Sequence, residues 1–433
     1  MHDSRQMGEP DRSSTQSDTT LDEAAEEHGV LPFFLGTFRA FRYRDFRWMW
    51  LGAFTSTTGT WMQQVAEGWL IFSLTGSGFY LGLTAFLGQL PIILFSLVGG
   101  VLADRIDRRK LLLGSQYVQM TTALLLTVLI YLDWIRIWHF LVLVFVVGTA
   151  QAFGGPAYHS LIPTLVNKKD VPNAIALNSI QFNLARVFGP LLAGAALALV
   201  GPVFCFALNG LSFLAVIISL SLIRTTFRPQ KTDESVLKGL KKGLEFVRSR
   251  EGLWQLNLLG FISTFCGIPL MTLLPMYAME IFQTGSTGLA RMMTISGIGS
   301  VLGALMFASL KDIKSRGKLT LKLQLGMALM IATFALSRNL LLSYVALFLA
   351  GLCLLMLFTS ITSMIQLAIS EEVRGRVTSI YMLAFRGGMP FGSLLAGTLA
   401  SRFSPSMALL TLSALLGVSA LGFLVSHSPV KKL

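Results

Sequence analysis

The stretch Asn178-Ser179-Ile180-Gln181-Phe182-Asn183-Leu184-Ala185-Arg186-Val187-Phe188-Gly189-Pro190 has a counterpart in Thr378-Ser379-Ile380-Tyr381-Met382-Leu383-Ala384-Phe385-Arg386-Gly387-Gly388-Met389-Pro390. Serine, isoleucine, arginine and proline recur at a constant offset, and each copy runs on into Leu-Leu-Ala-Gly, at Leu191 to Gly194 and at Leu394 to Gly397. The chain therefore reads as two tandem halves. Both arginines lie inside apolar runs long enough to cross a bilayer, where a permanent charge is costly and marks a pathway or a paired site.

Composition agrees with a membrane chain. Hydrophobic residues make up 53% of the 433 and charged residues 13%, a balance outside that of soluble domains. Apolar stretches at 48–73, 79–103, 111–132, 138–163, 173–200, 202–223, 254–279, 288–310, 319–337, 341–368, 377–400 and 405–426 each approach or exceed the ~20 residues a spanning helix needs. They predict an all-α polytopic protein of twelve transmembrane helices, six per half.

Around the spans the organisation is as follows. Residues 1–32 are polar, acidic and poor in aromatics, which predicts a disordered tail. Residues 33–47 interleave Phe34, Phe38, Phe41 and Phe46 with Arg39, Arg42, Arg44 and Arg47, as a short helix in the lipid headgroup region would. The first bundle is expected over 48–223, a linker over 224–252, the second bundle over 253–427 and a short end over 428–433. In the linker, Val236, Leu240, Leu244 and Val247 share one helical face, which predicts an amphipathic helix on the membrane surface.

Of the 35 lysines and arginines, Arg136, Arg291, Arg338 and Arg402 fall in one set of loops and Arg186 and Arg386 within spans. All the others flank the tail, the opposite loops and the C-terminal end. The positive-inside rule then puts both termini in the cytoplasm. The net charge of +13 is accounted for by anionic lipid, and no nucleic acid is expected. Cys205, Cys266 and Cys353 lie in apolar spans with no ligand spacing to histidine, so neither a metal nor a disulfide is expected. The chain has no phosphate-cradling glycine loop and no hydrolase motif, so no cofactor, ATP coupling or enzymatic activity is expected.

After the second span the chain reads Gly100-Val-Leu-Ala-Asp104-Arg105-Ile-Asp107-Arg108-Arg109-Lys110. This resembles the G-x-x-x-D-R-x-G-R-[RK] loop of the major facilitator superfamily, with Asp107 where the second glycine usually stands. Trp61-Met-Gln-Gln64-Val-Ala-Glu67-Gly-Trp69, Leu161-Ile-Pro-Thr-Leu165 and Val373-Arg374-Gly375-Arg376-Val377 resemble the bacterial branch that contains the enterobactin exporter and the macrolide efflux proteins. The resemblance implies two six-helix bundles, a central cavity, alternating access, and export of small amphiphilic molecules driven by proton entry. It implies a monomer whose partners are small-molecule substrate, protons and membrane lipid. In such a loop Gly100, Asp104, Arg105, Asp107, Arg108 and Arg109 form a conformational latch. A carboxylate there can face a helix N-terminus of the other half, and arginines can pair with acids or lipid phosphate.

Proton coupling needs a carboxyl group inside a span, since burial favours its neutral form. Only Glu67 among the 22 acids lies well inside one. It falls roughly 28 Å along the first helix from Trp48, and Arg186 about 20 Å into the fifth. Their membership of one bundle makes Glu67 with Arg186 the expected coupling pair, with Gln63 and Gln64 as other partners for Arg186. Arg386 has no acid within its own half's spans other than Glu280, at the end of one, and is left to carbonyls, an anionic substrate or lipid phosphate. Gln89, Gln151, Asn183, Asn209, Asn257 and Gln366 are candidate cavity liners, because amides in apolar helices need partners. Gly189 and Pro190, with Pro390 in the repeat, are expected to bend their helices; Gly189-Pro190-Leu-Leu-Ala-Gly194 resembles the G-P-x-x-G-G element of drug/proton antiporters, without its paired glycines. Two other readings stay open, a lysophospholipid or other lipid carrier and a non-transporting receptor or assembly factor.

Overall fold

The computed structural model describes residues 38–223, 236–310, 315–426 and 428–432; the tail expected at 1–32 and residues 224–235 lie outside them. The described chain is nearly all helix. In the first half α1 is Arg44–Thr75, α2 Gly78–Arg105, α3 Arg108–Tyr131, α4 Ile137–Leu161, α5 Val171–Leu199 and α6 Pro202–Leu222. A linker helix, Val236–Ser249, leads to the second half. There α7 is Glu251–Ile281, α8 Gly285–Ser309, α9 Arg316–Leu336, α10 Leu340–Leu367, α11 Glu371–Arg402 and α12 Pro405–Val425. Among the described residues, 10 of these helices are long and apolar enough to cross a membrane. The exceptions are α1 and α11, each 32 residues long. Both open on charge, Arg44-Asp45-Phe46-Arg47 and Glu371-Glu372-Val373-Arg374, and both carry hydroxyls further along, with Gln63, Gln64 and Glu67 in α1 and Arg386 in α11.

Helix ends follow local chemistry. Gly76 stops α1 in the left-handed region at φ 58°, its N–H returning 2.8 Å to the Phe72 carbonyl, a conformation that glycine adopts without steric cost. Helix α7 breaks at Ile268-Pro269, where a proline has no N–H to give, and finishes in a π-helical turn at Tyr277–Ile281.

The repeat read in the sequence reappears in the packing. In the first half α1 packs on α5 and α6, α4 on α2 and α3, and α3 on α6. In the second, α7 packs on α11 and α12, α10 on α8 and α9, and α9 on α12. The halves meet through α2 against α11 and α5 against α8, two contacts that exchange under the same relation.

Those cross-half contacts concentrate at the face opposite the chain ends. A Cβ on Gly82 would stand 2.4 Å from the Ser393 carbonyl oxygen, one on Gly397 2.4 Å from that of Gly78, and one on Gly194 2.9 Å from Ala290 Cβ. Small residues let the backbones touch there. Buried apolar side chains divide accordingly. One cluster joins the halves, with Val65, Ile71 and Leu81 beside Leu270, Leu274 and Tyr277. Two others stay within single halves, one around Phe46, Leu161 and Leu177, the other around Leu256, Leu357 and Tyr381.

Of the expected interfacial segment, residues 33–37 lie outside the described residues; a 3₁₀ turn at Arg39–Arg42 precedes α1, with Tyr43 extended between them. It is held by protein, because Ala40 N–H donates to Asn173 Oδ1 at 2.8 Å and the Tyr43 hydroxyl to Asp170 Oδ2 at 2.6 Å. The hydrogen bond to Asp170 holds the Tyr43 phenol above its ordinary value. In the linker helix Val247 is fully buried and Leu244 is exposed. Gly243 lies against Arg376 and Ile380 of α11, so its second half docks on protein. The side chains of Val236 and Leu240 lie outside the described residues.

Candidate functional site

A polar seam runs between α1 and α6. Gly59 brings the helices together, since a Cβ there would come 2.5 Å from Ser212 Oγ and 2.8 Å from Asn209 Oδ1. Asn209, 3% exposed, donates Nδ2–H to Gln63 Oε1 at 2.6 Å, and Ser212 Oγ–H donates to Asn209 Oδ1 at 3.3 Å. Gln63, its oxygen taken by Asn209, lies close enough to the half-buried Glu67 for its amide dipole to act on that carboxylate. The result is a polar cluster of Asn209, Gln63 and Glu67 along α1 and α6.

Arg186 takes a different partner from the expected ones. Its guanidinium lies over the Trp61 ring, 5.7 Å from the centroid, and Phe182 meets the same ring edge-on at 6.1 Å. This is within cation–π range. Trp61 and Glu67 lie roughly 9 Å apart along α1 and on different faces of it, so the arginine that reaches one does not reach the other. No ion pair joins Glu67 and Arg186 in this state. The Gly189-Pro190 element explains the approach: a Cβ on Gly189 would stand 2.4 Å from Trp61 Cβ and 2.8 Å from the Thr58 carbonyl oxygen. Arg186 is also at the contact between halves, since a Cβ on Gly297 of α8 would lie 3.0 Å from its carbonyl oxygen.

The loop after α2 is tied to its own half. Asp107 Oδ1 accepts from Arg109 N–H at 2.9 Å and caps α3. Arg108 Nη1 donates to the Ser160 carbonyl at the end of α4 at 3.3 Å, and Arg109 to Ser221 and Ile223 at the end of α6 at 3.1 and 3.4 Å. Unpaired C-terminal carbonyls and the negative end of the helix dipole explain why cations sit there. These three contacts go to helix-end carbonyls. Arg105 is exposed, Gly100 has open space where a Cβ would stand, and the Asp104 side chain lies outside the described residues. The second half repeats the device with a residue that sequence reading missed: Arg316 Nη1 donates to Ser363 Oγ near the end of α10 at 2.7 Å. Its signal was the repeat itself, which puts Arg316 after α8 as Arg108 stands after α2.

The remaining candidates separate. Gln151 donates to Gln119 Oε1 at 3.2 Å and Gln119 to Ser115 Oγ at 3.1 Å, a packing network between α4 and α3. Asn183 and Asn257 return their amides to their own helices, at the Ser179 and Leu253 carbonyls. Gln64 is exposed and Gln89 half-buried. Gln366 lines a cavity of about 310 Å³ between α10 and α11, with Phe358, Thr362, Tyr381, Met382 and Phe385. Arg386, exposed on α11, lies close enough to His159 of α4 for its charge to act on that imidazole. Pro190 and Pro390 sit inside the unbroken helices α5 and α11.

Over residues 35–432 the chain matches the family described as transmembrane secretion effectors. It is 23% identical over 359 residues to macrolide efflux protein A of Streptococcus pyogenes, covering 82% of this chain and 89% of that one. It is 26% identical over 366 residues to the staphyloferrin A transporter of Staphylococcus aureus, covering 82% and 90%. Among solved structures, a bacterial homologue of the human lysosomal transporter Spinster superposes with a TM-score of 0.69 at 15% identity, over 90% of this chain and 98% of that one.

Proposed function

Because this chain belongs to the transmembrane secretion effector family of major facilitator transporters, which are not enzymes, we propose that it exports small amphiphilic molecules from a bacterial cell in exchange for protons. The substrate classes named for its relatives, a macrolide and a siderophore, motivate that range. In this reading α1 and α11 also span the membrane, giving two six-helix bundles with both termini in the cytoplasm.

The observation that carries alternating access is the division of the core. One apolar cluster closes the halves together at the face opposite the chain ends, while the other face keeps a separate cluster in each half. Such an arrangement suits a protein closed to the outside and open to the cytoplasm, and rocking about the glycine contacts of α2 with α11 and α5 with α8 would reverse it. Glu67 is the proton carrier of the proposal, with Gln63, itself held by Asn209, beside its carboxylate. Arg186 positions Trp61 beside the contact between halves, and Asp104 acts in the latch. Inside-out vesicles energised by a pH gradient test the assignment: accumulation of an exported compound that a protonophore abolishes supports it, and accumulation indifferent to the protonophore refutes proton coupling.

A further inference from the structure

We propose that the α10–α11 cleft and Arg386 together form a binding site for anionic aromatic amphiphiles, selecting them over cationic ones. The inference rests on the export reading and narrows its substrate class. The cleft, about 310 Å³ in volume, is of a size to take a fused-ring or similar apolar body. Phe358 and Phe385 pack edge to face in its wall, ring centroids 4.4 Å apart, with Tyr381 5.9 Å from Phe385. Thr362 and Gln366 give the wall a few polar groups, Thr362 Oγ1 lying 3.4 Å from the Tyr381 hydroxyl.

Arg386 follows Phe385 and lies one helical turn beyond Met382, both cleft residues, so it borders the cleft along α11. It is exposed, and no described residue gives it a hydrogen bond or an ion pair. That contrasts with Arg186 in the repeat, which Trp61 covers. A guanidinium inside an otherwise apolar helix needs a counter-charge, and a carboxylate or sulfonate accepting two parallel N–H bonds supplies one. His159, exposed on α4 within electrostatic reach of Arg386, adds a donor from the other half. An anion held between them would therefore touch both halves, while its apolar body stays with the second.

The test is equilibrium dialysis of full-length protein in detergent, with empty micelles as blank, against two probes sharing one apolar body: 4-(1-naphthyl)butyrate and 4-(1-naphthyl)butylammonium. The butyrate is expected to bind at least tenfold more tightly than the ammonium. Arg386→Ala should remove that preference, Arg386→Lys should keep most of it, and Phe385→Ala should weaken both probes. Equal binding of the two probes, preference for the ammonium, absence of binding by either, or a preference that survives Arg386→Ala would each overturn the proposal. Because dialysis needs no gradient, its failure is separable from that of export. Vesicle transport that persists without anion preference would sink this inference alone, and anion binding without gradient-driven transport would sink the export reading.

Discussion

Asn209 on α6 donates its side-chain amide to Gln63 on α1 at 2.6 Å, and Gln63 stands near enough to Glu67 for its amide to act on the carboxylate. Glu67 thus has a neutral amide beside it, and no ion pair joins it to Arg186. A carboxylate in this setting can accept a proton without first breaking an ion pair, which suits it to exchange protons with an opening cavity.

Replacing Glu67 with glutamine removes the titrating group and keeps the side chain's size beside Gln63. Gradient-driven export by Glu67→Gln in vesicles should fall at least tenfold while substrate binding in detergent stays within a few-fold of wild type. Wild-type transport rates would take the proton from Glu67. Asn209→Leu should act more weakly on transport and cost about 1 kcal/mol in stability, since interhelical hydrogen bonds in membranes contribute about that much. A denaturant titration reads this directly.

Arg186 over Trp61 leads to a separate expectation. Trp61→Leu and Arg186→Ala should be non-additive, with a coupling of about 0.5–2 kcal/mol in a double-mutant cycle on unfolding. Glu67→Gln and Arg186→Ala should instead add within error, because no ion pair joins them in this state. A large coupling in the second cycle would mean that the pair forms in another conformation.

Much of this was legible in the sequence, and the physical reasons differ by level. The repeat around Arg186 and Arg386 has its counterpart in the packing of the two sets of helices, and apolar length picks out ten of them, whereas α1 and α11 are more polar. Glu67 was legible as an acid in the middle of a long helix, and the structure puts Gln63 beside it. The choice of Trp61 over Glu67 for Arg186 was not legible, since it depends on the rotation of α5 against α1, set by where Gly189 allows contact. Amides such as Gln151 and Asn257 were indistinguishable from cavity liners by type, and only packing separates them. The partners of Arg108 and Arg109 were likewise hidden, because helix-end carbonyls leave no mark in the sequence.

Closure at the face opposite the chain ends depends on Gly82, where any Cβ meets the Ser393 carbonyl at 2.4 Å. Gly82→Val should push α2 from α11 and favour the state open on that side. Overpacking of this kind costs about 1–3 kcal/mol, and every 1.4 kcal/mol is about a tenfold shift in the ratio of states. A cysteine at Thr272, with Cys205, Cys266 and Cys353 changed to serine, should then react faster with an impermeant maleimide from that side. Unchanged labelling would show that the glycine contact does not govern closure.

The direction of transport follows from energetics once Glu67 carries the proton. Each charge entering a cell releases about 2.3 kcal/mol per 100 mV of membrane potential, and each pH unit adds roughly 1.4 kcal/mol. One-for-one exchange of a neutral substrate could then sustain a gradient of a few hundredfold. Inside-out vesicles with an acidified lumen should accumulate substrate, and a protonophore should release it. For a substrate carrying one negative charge, outward movement of the anion against inward movement of a proton transfers two charges, so the potential should contribute twice as strongly as for a neutral one. Imposing a potassium-diffusion potential at constant pH measures this: anion accumulation should respond about twice as steeply as accumulation of the neutral ester of the same compound. Uptake favoured by the opposite gradient would reverse the assignment from export to import.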